Sequence, residues 1–560
     1  MAPFEAGGGL VRRVTARLHG AFCELVASCF DLGWGIAQHS WPVTVLWYLC
    51  CAPFAELFFY LQCKRYVRVM SEATHATFVS EVDSRESERC WHQMTSEMSP
   101  RELATLLRSW FLPVAGPRSA PQLGLTRASV VRFVSWTLFN VHEDTLSPSE
   151  EERVHAIVER LEAALGEPLA AGEPSALRAM TYTLEPLAPV WKPLCFYLLL
   201  AAAHCALGVL LRLVGFRRCT VAGLRYWHRA APAQTEFVRP LPPPPPPTVL
   251  FHGVGGLLPY VLWIAQLLRT TRGAIFLPLF PCGSLSALPH VALAERPLPP
   301  SAMARAVRQM LERHAERQTP RRAVFFAHSL GTAHLAAVLK AEPALAAAVG
   351  MADPICFLLA HPDVLYNFLY ARPPLTANTF FHWAQYKLAT SEPTTQYCFR
   401  RAFWWSSYWI HPTDLPCDSF VVLSGRDSVA EPYAVLDNLN TWKPLLAKTG
   451  VKMHTKLFDK WRHGWLLWHP SAQYHFILSV QRVALERCEL EGPPRGSVSF
   501  SHEPPASATE WFSSPPTNFT YATGLLRPSR AMRSFSTDDG TETDSGSVSS
   551  ALTCTTVVSA

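Results

Sequence analysis

Residues 322–343 read RAVFFAHSLGTAHLAAVLKAEP. RAVFF is a short apolar run of strand type, and TAHLAAVLKAEP has helix-forming composition, with no loop between them. Ser329 therefore sits in the turn itself, where strand passes directly into helix. Such a turn is sharp and strained, and it needs small residues two before and two after the serine. Ala327 and Gly331 meet that need, although glycine is the more usual first residue. His328 and Leu330 flank the serine, and the helix that begins behind it presents the positive end of its dipole. The stretch marks Ser329 as a nucleophile rather than a buried serine in an ordinary turn.

A second turn lies upstream. The strand-like TVLFH ends in His252-Gly253-Val254-Gly255-Gly256. The backbone N–H groups of Val254 and Leu330 are the candidate pair for holding an oxyanion. A phosphate-cradling loop would need a following Lys-Ser/Thr, which is absent. Downstream, DSFVVLSG (418–425) reads as a strand and stops just before Asp427. VKMHTKLFD (451–459) reads as the last strand, with His463 presented before Gly464 in the loop beyond. Asp427 is the favoured acid, and Asp353, at the end of AAVGMADP, is the alternative acid. His469 and His475 fall in segments that read as packing helix. Serine, acid and histidine thus follow in chain order.

Strands and helices alternate from the proline run to about residue 485, which calls for a mostly parallel sheet covered on both faces. Together with the two turns, this is the pattern of the α/β-hydrolase fold. The stretch from Ser99 to Val483 resembles a family of membrane-associated proteins of fungi and algae that carry an α/β-hydrolase domain. The resemblance rests on WTLFN (136–140), KPLCFYL (192–198), the HGVGG and AHSLG turns, DPICFLL (353–359) and RAFWWSSYWIHPTDLP (401–416). It implies Ser329, Asp427 and His463 as a triad and supplies no substrate.

Around this domain the chain is apolar. Hydrophobic residues make up 49% and charged residues 17% of 560, with a net charge of +6. So low a charge share sends apolar surface into a membrane or a deep site. Lys and Arg form no basic stripe interleaved with aromatics, so nucleic acid is not an expected partner. The 15 cysteines show no C-x-x-C pair and no Cys/His cluster, so no metal is expected, and mostly free thiols favour a reducing compartment. The first forty residues hold Arg12, Arg13 and Arg17 but no compact signal-type run.

Six parts follow from this reading. Residues 1–98 include an apolar stretch at 41–61, interrupted by Glu56, that is either membrane-embedded or a buried helix. Residues 99–190 form a helical domain whose helices open on Ser99-Pro100-Arg101-Glu102 and Ser147-Pro148-Ser149-Glu150. Residues 193–211 are long and apolar enough for a transmembrane helix. If it alone spans, Arg212, Arg217 and Arg218 place the catalytic domain on the cytoplasmic side; the basic cluster after Leu61 gives a two-span hairpin the opposite polarity. Residues 240–247 are a proline-rich linker, a stiff spacer and a candidate ligand for SH3- or WW-type partners. The α/β-hydrolase domain spans 248–485, with an aromatic lid at 354–416. Residues 490–560, rich in Ser, Thr, Pro and Gly, read as a disordered tail.

The expected chemistry is serine-dependent cleavage of a carboxylic ester or acyl lipid at a membrane, with no cofactor. Acyl transfer to an alcohol on the same scaffold is the near alternative. A non-catalytic membrane scaffold is the distant one.

Overall fold

The computed structural model describes residues 41–72, 83–96, 98–113, 124–172, 177–232, 245–281, 283, 285, 297–315, 322–376, 379–490 and 511–512, with backbone alone for 41–50 and 488–490. The first forty residues, Pro242–Pro244 and all of the expected tail beyond 490 except 511–512 lie outside them.

Five helices come first: α1 (Trp41–Glu72), α2 (Ser84–Thr95), α3 (Pro100–Ser109), α4 (Arg127–Phe139) and α5 (Pro148–Leu165). Both expected capping boxes form: Glu102 accepts the Ser99 N–H at 2.9 Å and Glu150 accepts the Ser147 N–H at 2.9 Å. Each proline occupies the first helical position. Strands β1 (Phe111–Pro113) and β2 (Leu177–Ala179) pair antiparallel beside them. Helix α1 does not stop at Leu61 but runs on through Lys64, Arg65 and Arg68. Glu56 finds a partner at the start of α6 (Leu194–Leu213), where it accepts the Leu194 N–H at 2.8 Å. An otherwise unsatisfied donor at a helix N-terminus thus meets a carboxylate.

The main sheet has eight strands: β3 (Arg217–Val221), β4 (Leu224–Arg229), β5 (Thr248–Phe251), β6 (Ile275–Leu279), β7 (Ala323–His328), β8 (Ala346–Ala352), β9 (Ser419–Arg426) and β10 (Met453–Arg462). Their spatial order is β10-β9-β8-β7-β5-β6-β4-β3. The strands from β5 to β10 are parallel, and β4 runs antiparallel to both β3 and β6. Alternate residues feed the two faces, as the pleat requires. Val249, Phe251, Phe325 and Ala327 join one core, and Leu250, Val324 and Phe326 join the other. Helices α8 (Pro300–Arg313) and α9 (Leu330–Ala341) cover the first face. Helices α7 (Val261–Thr270) and α11 (Pro470–Leu490) cover the second, while α10 (Pro432–Lys448) packs beside β9 and β10.

The structure moves three expected boundaries. The sheet begins at Arg217, before the proline run, because β3 and β4 form a hairpin through Ala222 and Gly223 and Trp227 pairs with Leu277 of β6. The end of the run is no free spacer: Pro246 is buried and the Pro247 carbonyl accepts the Val324 N–H at 2.8 Å. Within the expected tail, Phe512 is buried against Phe420 and Phe476, so this pair of aromatics belongs to the folded body.

The segment expected as an aromatic lid is mostly core. Phe357, Phe368, Phe403, Trp404, Trp405, Tyr408 and Trp409 are buried, whereas Phe380 and Phe381 are exposed. The indole N–H of Trp404 reaches Ser87 Oγ at 3.1 Å, and that of Trp405 reaches the Thr137 carbonyl at 3.2 Å. Trp136 meets Trp404 edge to face, and Trp409 donates to the Phe357 carbonyl at 3.1 Å. The helices before residue 190 and this segment therefore share one core, and the WTLFN, DPICFLL and RAFWWSSYW motifs meet at their joint.

Candidate active site

The chain reverses its build direction at β5, which pairs with β6 on one side and β7 on the other. A crevice opens at the carboxyl ends of strands at such a switch point. The two turns singled out in the sequence both lie there. Ser329 follows β7 with φ 53° and ψ −125°, an unfavourable backbone conformation for a side-chain-bearing residue that costs about 1–3 kcal/mol. Its N–H donates to the Ala352 carbonyl at 3.1 Å, and its own carbonyl accepts from the Thr332 N–H at 2.9 Å. Gly331 is required because any Cβ there would run into the Phe251 carbonyl oxygen. At Gly253 a Cβ would come within 3.0 Å of the Ser329 Cβ, so the upstream turn presses directly on the elbow.

Three residues come together at that elbow. The His463 Nε2 lies 2.9 Å from Ser329 Oγ, and its Nδ1 lies 2.7 Å from Asp427 Oδ2. A carboxylate only accepts, so Nδ1 carries the proton and Nε2 is left to accept from the serine hydroxyl. The other Asp427 oxygen is held by the N–H groups of Val429 at 2.7 Å and Ala430 at 3.1 Å. Burial works against a charged His463, but Asp427, and beyond it Asp353, overcome this and push its pKa up to about 9.

The two candidate oxyanion donors also fall here. Leu330 is the first residue of α9, so its N–H has no acceptor within the helix. In the upstream turn, Gly253 donates to Tyr260 Oη at 2.6 Å and Gly255 to the Gly283 carbonyl at 2.7 Å, while Val254 faces the cavity. His252 is structural: one ring nitrogen meets the Gly253 carbonyl at 2.9 Å and the other accepts the Phe280 N–H at 3.2 Å. Gly256 takes φ 66° where the turn feeds Leu258–Tyr260.

Asp353 does not act on the imidazole directly. It is fully buried at φ 44°, and its two oxygens accept the N–H groups of Ser424 at 2.9 Å and Gly464 at 2.7 Å. It lies 3.8 Å from His328 Nε2. His328 Nδ1 in turn lies 2.7 Å from Tyr260 Oη, which accepts from Gly253. Tyr260 therefore donates its proton to His328 Nδ1, and the His328 Nε2–H points toward Asp353. Burial keeps His328 below the usual histidine range. A buried polar chain thus runs from the upstream turn through the elbow to the loop that carries His463. The sequence offered no signal for Tyr260, seven residues past Gly253 and outside any motif.

Asp353, Asp427 and His463 present oxygen and nitrogen atoms within 4.8 Å of one another, the grouping among the described residues that most resembles a metal site. Both ring nitrogens and all four carboxylate oxygens are already committed to Ser329, to each other and to backbone N–H groups, so the donor set fits a hydrogen-bonded relay. His469 and His475 stay outside: His469 Nδ1 meets the Trp465 carbonyl at 2.8 Å, and His475 stacks on Trp511.

Ser329 opens onto a cavity of about 250 Å³. Phe368, Phe381, Trp465, Leu467 and Trp468 give it an apolar wall, and Arg426 and Arg462 edge it. The Arg462 guanidinium lies over the Phe381 ring at 4.7 Å. An elbow after β7, a glycine-rich turn after β5 and the order serine, aspartate, histidine on this sheet are a sufficient set of marks. The chain has the α/β-hydrolase fold.

Solved structures with this fold are similar over about half of the chain. A carboxylesterase from Bacillus subtilis is 13% identical, with a TM-score of 0.34, covering 51% of this chain and 98% of its own. Carboxyl esterase 2 from the fungus Tuber melanosporum is 18% identical, with a TM-score of 0.32, covering 48% and 86%. A bacterial membrane phospholipase A is 15% identical, with a TM-score of 0.34, covering 51% and 93%. No protein-family model and no curated protein matches the sequence. The α/β-hydrolase assignment rests on the sheet and its turns, not on these likenesses.

Proposed function

We propose that the protein is a membrane-associated serine hydrolase that cleaves a carboxylic ester with a long apolar acyl group. The reading is carried by one observation, the continuous line from Ser329 Oγ through His463 to Asp427 at 2.9 and 2.7 Å, opening onto an apolar-walled cavity. Ser329 Oγ attacks the ester carbonyl carbon as His463 Nε2 takes its proton. The oxyanion is held by the N–H groups of Val254 and Leu330. Asp427 fixes the imidazole tautomer and stabilises the imidazolium. The protonated His463 then gives its proton to the departing alcohol, leaving the acyl group on Ser329. A water molecule, deprotonated by His463, releases the acid and restores the serine. The aromatic wall and the apolar helix α6, of mean hydropathy 2.3, favour a lipid-like substrate near a membrane.

Labelling with a fluorophosphonate tests the reading. Ser329 is expected to be the modified residue, and Ser329→Ala to abolish labelling while leaving the melting curve unchanged. Equal labelling of the Ala variant would defeat it.

A further inference from the structure

Helix α6 is long and apolar enough to cross a bilayer, and only 17% of that stretch is buried. Its exposed side presents Leu198, Leu199, Val209, Leu210 and Leu213, with no charged side chain between Lys192 and Arg212. Helix α1 packs beside it through Phe59 and Tyr197 and adds exposed Phe54, Leu57 and Leu61. The apolar face does not end there. Helix α6 touches the turn Leu258–Tyr260, which leads into α7 with exposed Val261 and Leu262. Helix α7 packs on Trp465–Trp468, where Trp468 is 65% exposed and lines the Ser329 cavity.

Both ends of α6 are fastened to the same folded body. Before it, the Val190 N–H donates to the Ser391 carbonyl at 2.9 Å and Lys192 Nζ to Ser391 Oγ at 3.3 Å. Within its first turn, Tyr197 Oη donates to the buried Glu392 at 3.2 Å. At the other end, Leu207 and Leu211 are buried with Trp227 in the core beneath the sheet. A helix of 20 residues spans about 30 Å, the thickness of the hydrocarbon layer. If α6 crossed, the body attached at both ends would have to cross beside it, with its buried ions and loops at membrane depth.

We infer that α1, α6 and α7 form one docking face that sinks into a single leaflet with α6 in the membrane plane, not across it. Exposed Lys64, Arg65 and Arg68 bound the face at the end of the α1 stretch, and Arg212 in the last turn of α6, with Arg217 and Arg218 beyond it, bounds the other end. An apolar strip with cations at its margins suits a bilayer containing anionic headgroups. In this pose the mouth of the Ser329 cavity, marked by Trp468 and Phe381, meets the acyl chains, so substrate enters sideways from the leaflet. This last consequence rests on the hydrolase reading; the docking pose does not.

Full-length protein in sealed microsomes tests the pose. A specific protease site is inserted after Gly172 in one version and after Pro232 in another, exposed positions on either side of α6. The two sites are expected to behave alike, both cut or both protected until detergent is added. One cut and one protected would overturn the inference, as would recovery of the chain outside the membrane fraction. Leu199→Glu with Leu210→Glu is expected to weaken sedimentation with phosphatidylcholine–phosphatidylserine vesicles by about tenfold or more. Undiminished binding would overturn it. Hydrolysis of a water-soluble short-chain ester by the same preparations reads the chemistry separately. It is expected to be unchanged in the double variant, and its absence from every preparation would fail the hydrolase reading while the docking results stand.

Discussion

Asp353 accepts the backbone N–H of Gly464 at 2.7 Å, so a buried carboxylate holds the residue next to His463 in the chain. Its other oxygen holds Ser424 near the end of β9, three residues before Asp427. One carboxylate therefore ties down the loops that carry both His463 and Asp427. The sequence presented Asp353 and Asp427 as rivals for one role, and in the proposed mechanism they have two: Asp427 orients the imidazole and Asp353 holds the loops.

Those two roles predict different losses. Asp427→Asn removes the acceptor at His463 Nδ1 and is expected to lower kcat roughly ten-thousandfold. Asp353→Asn keeps one acceptor and faces an amide N–H with another N–H at the second position. It is expected to lower kcat about ten- to a hundredfold with KM little changed, because it misplaces the imidazole without removing a reacting group. Steady-state kinetics on a soluble ester with matched melting curves separate the two. A greater loss in Asp353→Asn with the fold intact would reverse the assignment.

The pH profile follows from the same arrangement. In the proposed mechanism neutral His463 is the base, and the two carboxylates favour its protonated form, with a pKa of about 9. Activity measured as kcat/KM should fall as pH drops through that value and rise toward the alkaline side. Asp427→Asn removes the larger of the two attractions, so the residual activity should show its inflection at lower pH. An inflection that stays in place in this variant would mean that another group controls the limb.

Gly331 makes a prediction about folding. Its absent side chain lets the start of α9 pass beneath the Phe251 carbonyl, and a methyl group there has nowhere to move. Gly331→Ala is expected to cost about 3 kcal/mol, read from urea unfolding. Gly450→Ala is the comparison, because no atom lies within 4 Å of the added Cβ and only its φ of +79° is unfavourable. That change should cost about 1 kcal/mol.

How far the sequence carried the structure depends on the range of the interactions. The elbow and the glycine-rich turn after β5 were legible as backbone features because each is a local demand written in adjacent small residues. The placement of Asp427 and His463 beside Ser329 was legible because each lies just past a recognisable strand. The hairpin β3–β4 was not, since edge strand β3 exposes Arg217 and Arg218 and alternates poorly. The fate of Trp404 and Trp405 was not either. An aromatic cluster reads the same whether it caps a pocket or fills a core, and here its partners, Ser87 and Thr137, lie more than two hundred residues away.

The proline run invites a cut near residue 240, and the fold predicts that the cut fails. A chain starting there loses β3 and β4, leaving β6 as an unprotected edge whose backbone groups were paired from Arg225 to Arg229. It also loses Tyr226 and Trp227, both buried against the sheet. On the other side it strips α2 to α5 from Trp404, Trp405 and Tyr408, baring a contiguous aromatic surface that in the intact chain is dry. An open edge beside exposed aromatics is a template for aggregation. The fragment should therefore appear in inclusion bodies, or soluble only with detergent, and lack the near-ultraviolet dichroism of packed tryptophans. The full chain should show that signal. A fragment that is monomeric, sharply melting and reactive at Ser329 would show that the catalytic sheet stands without the helices and the hairpin.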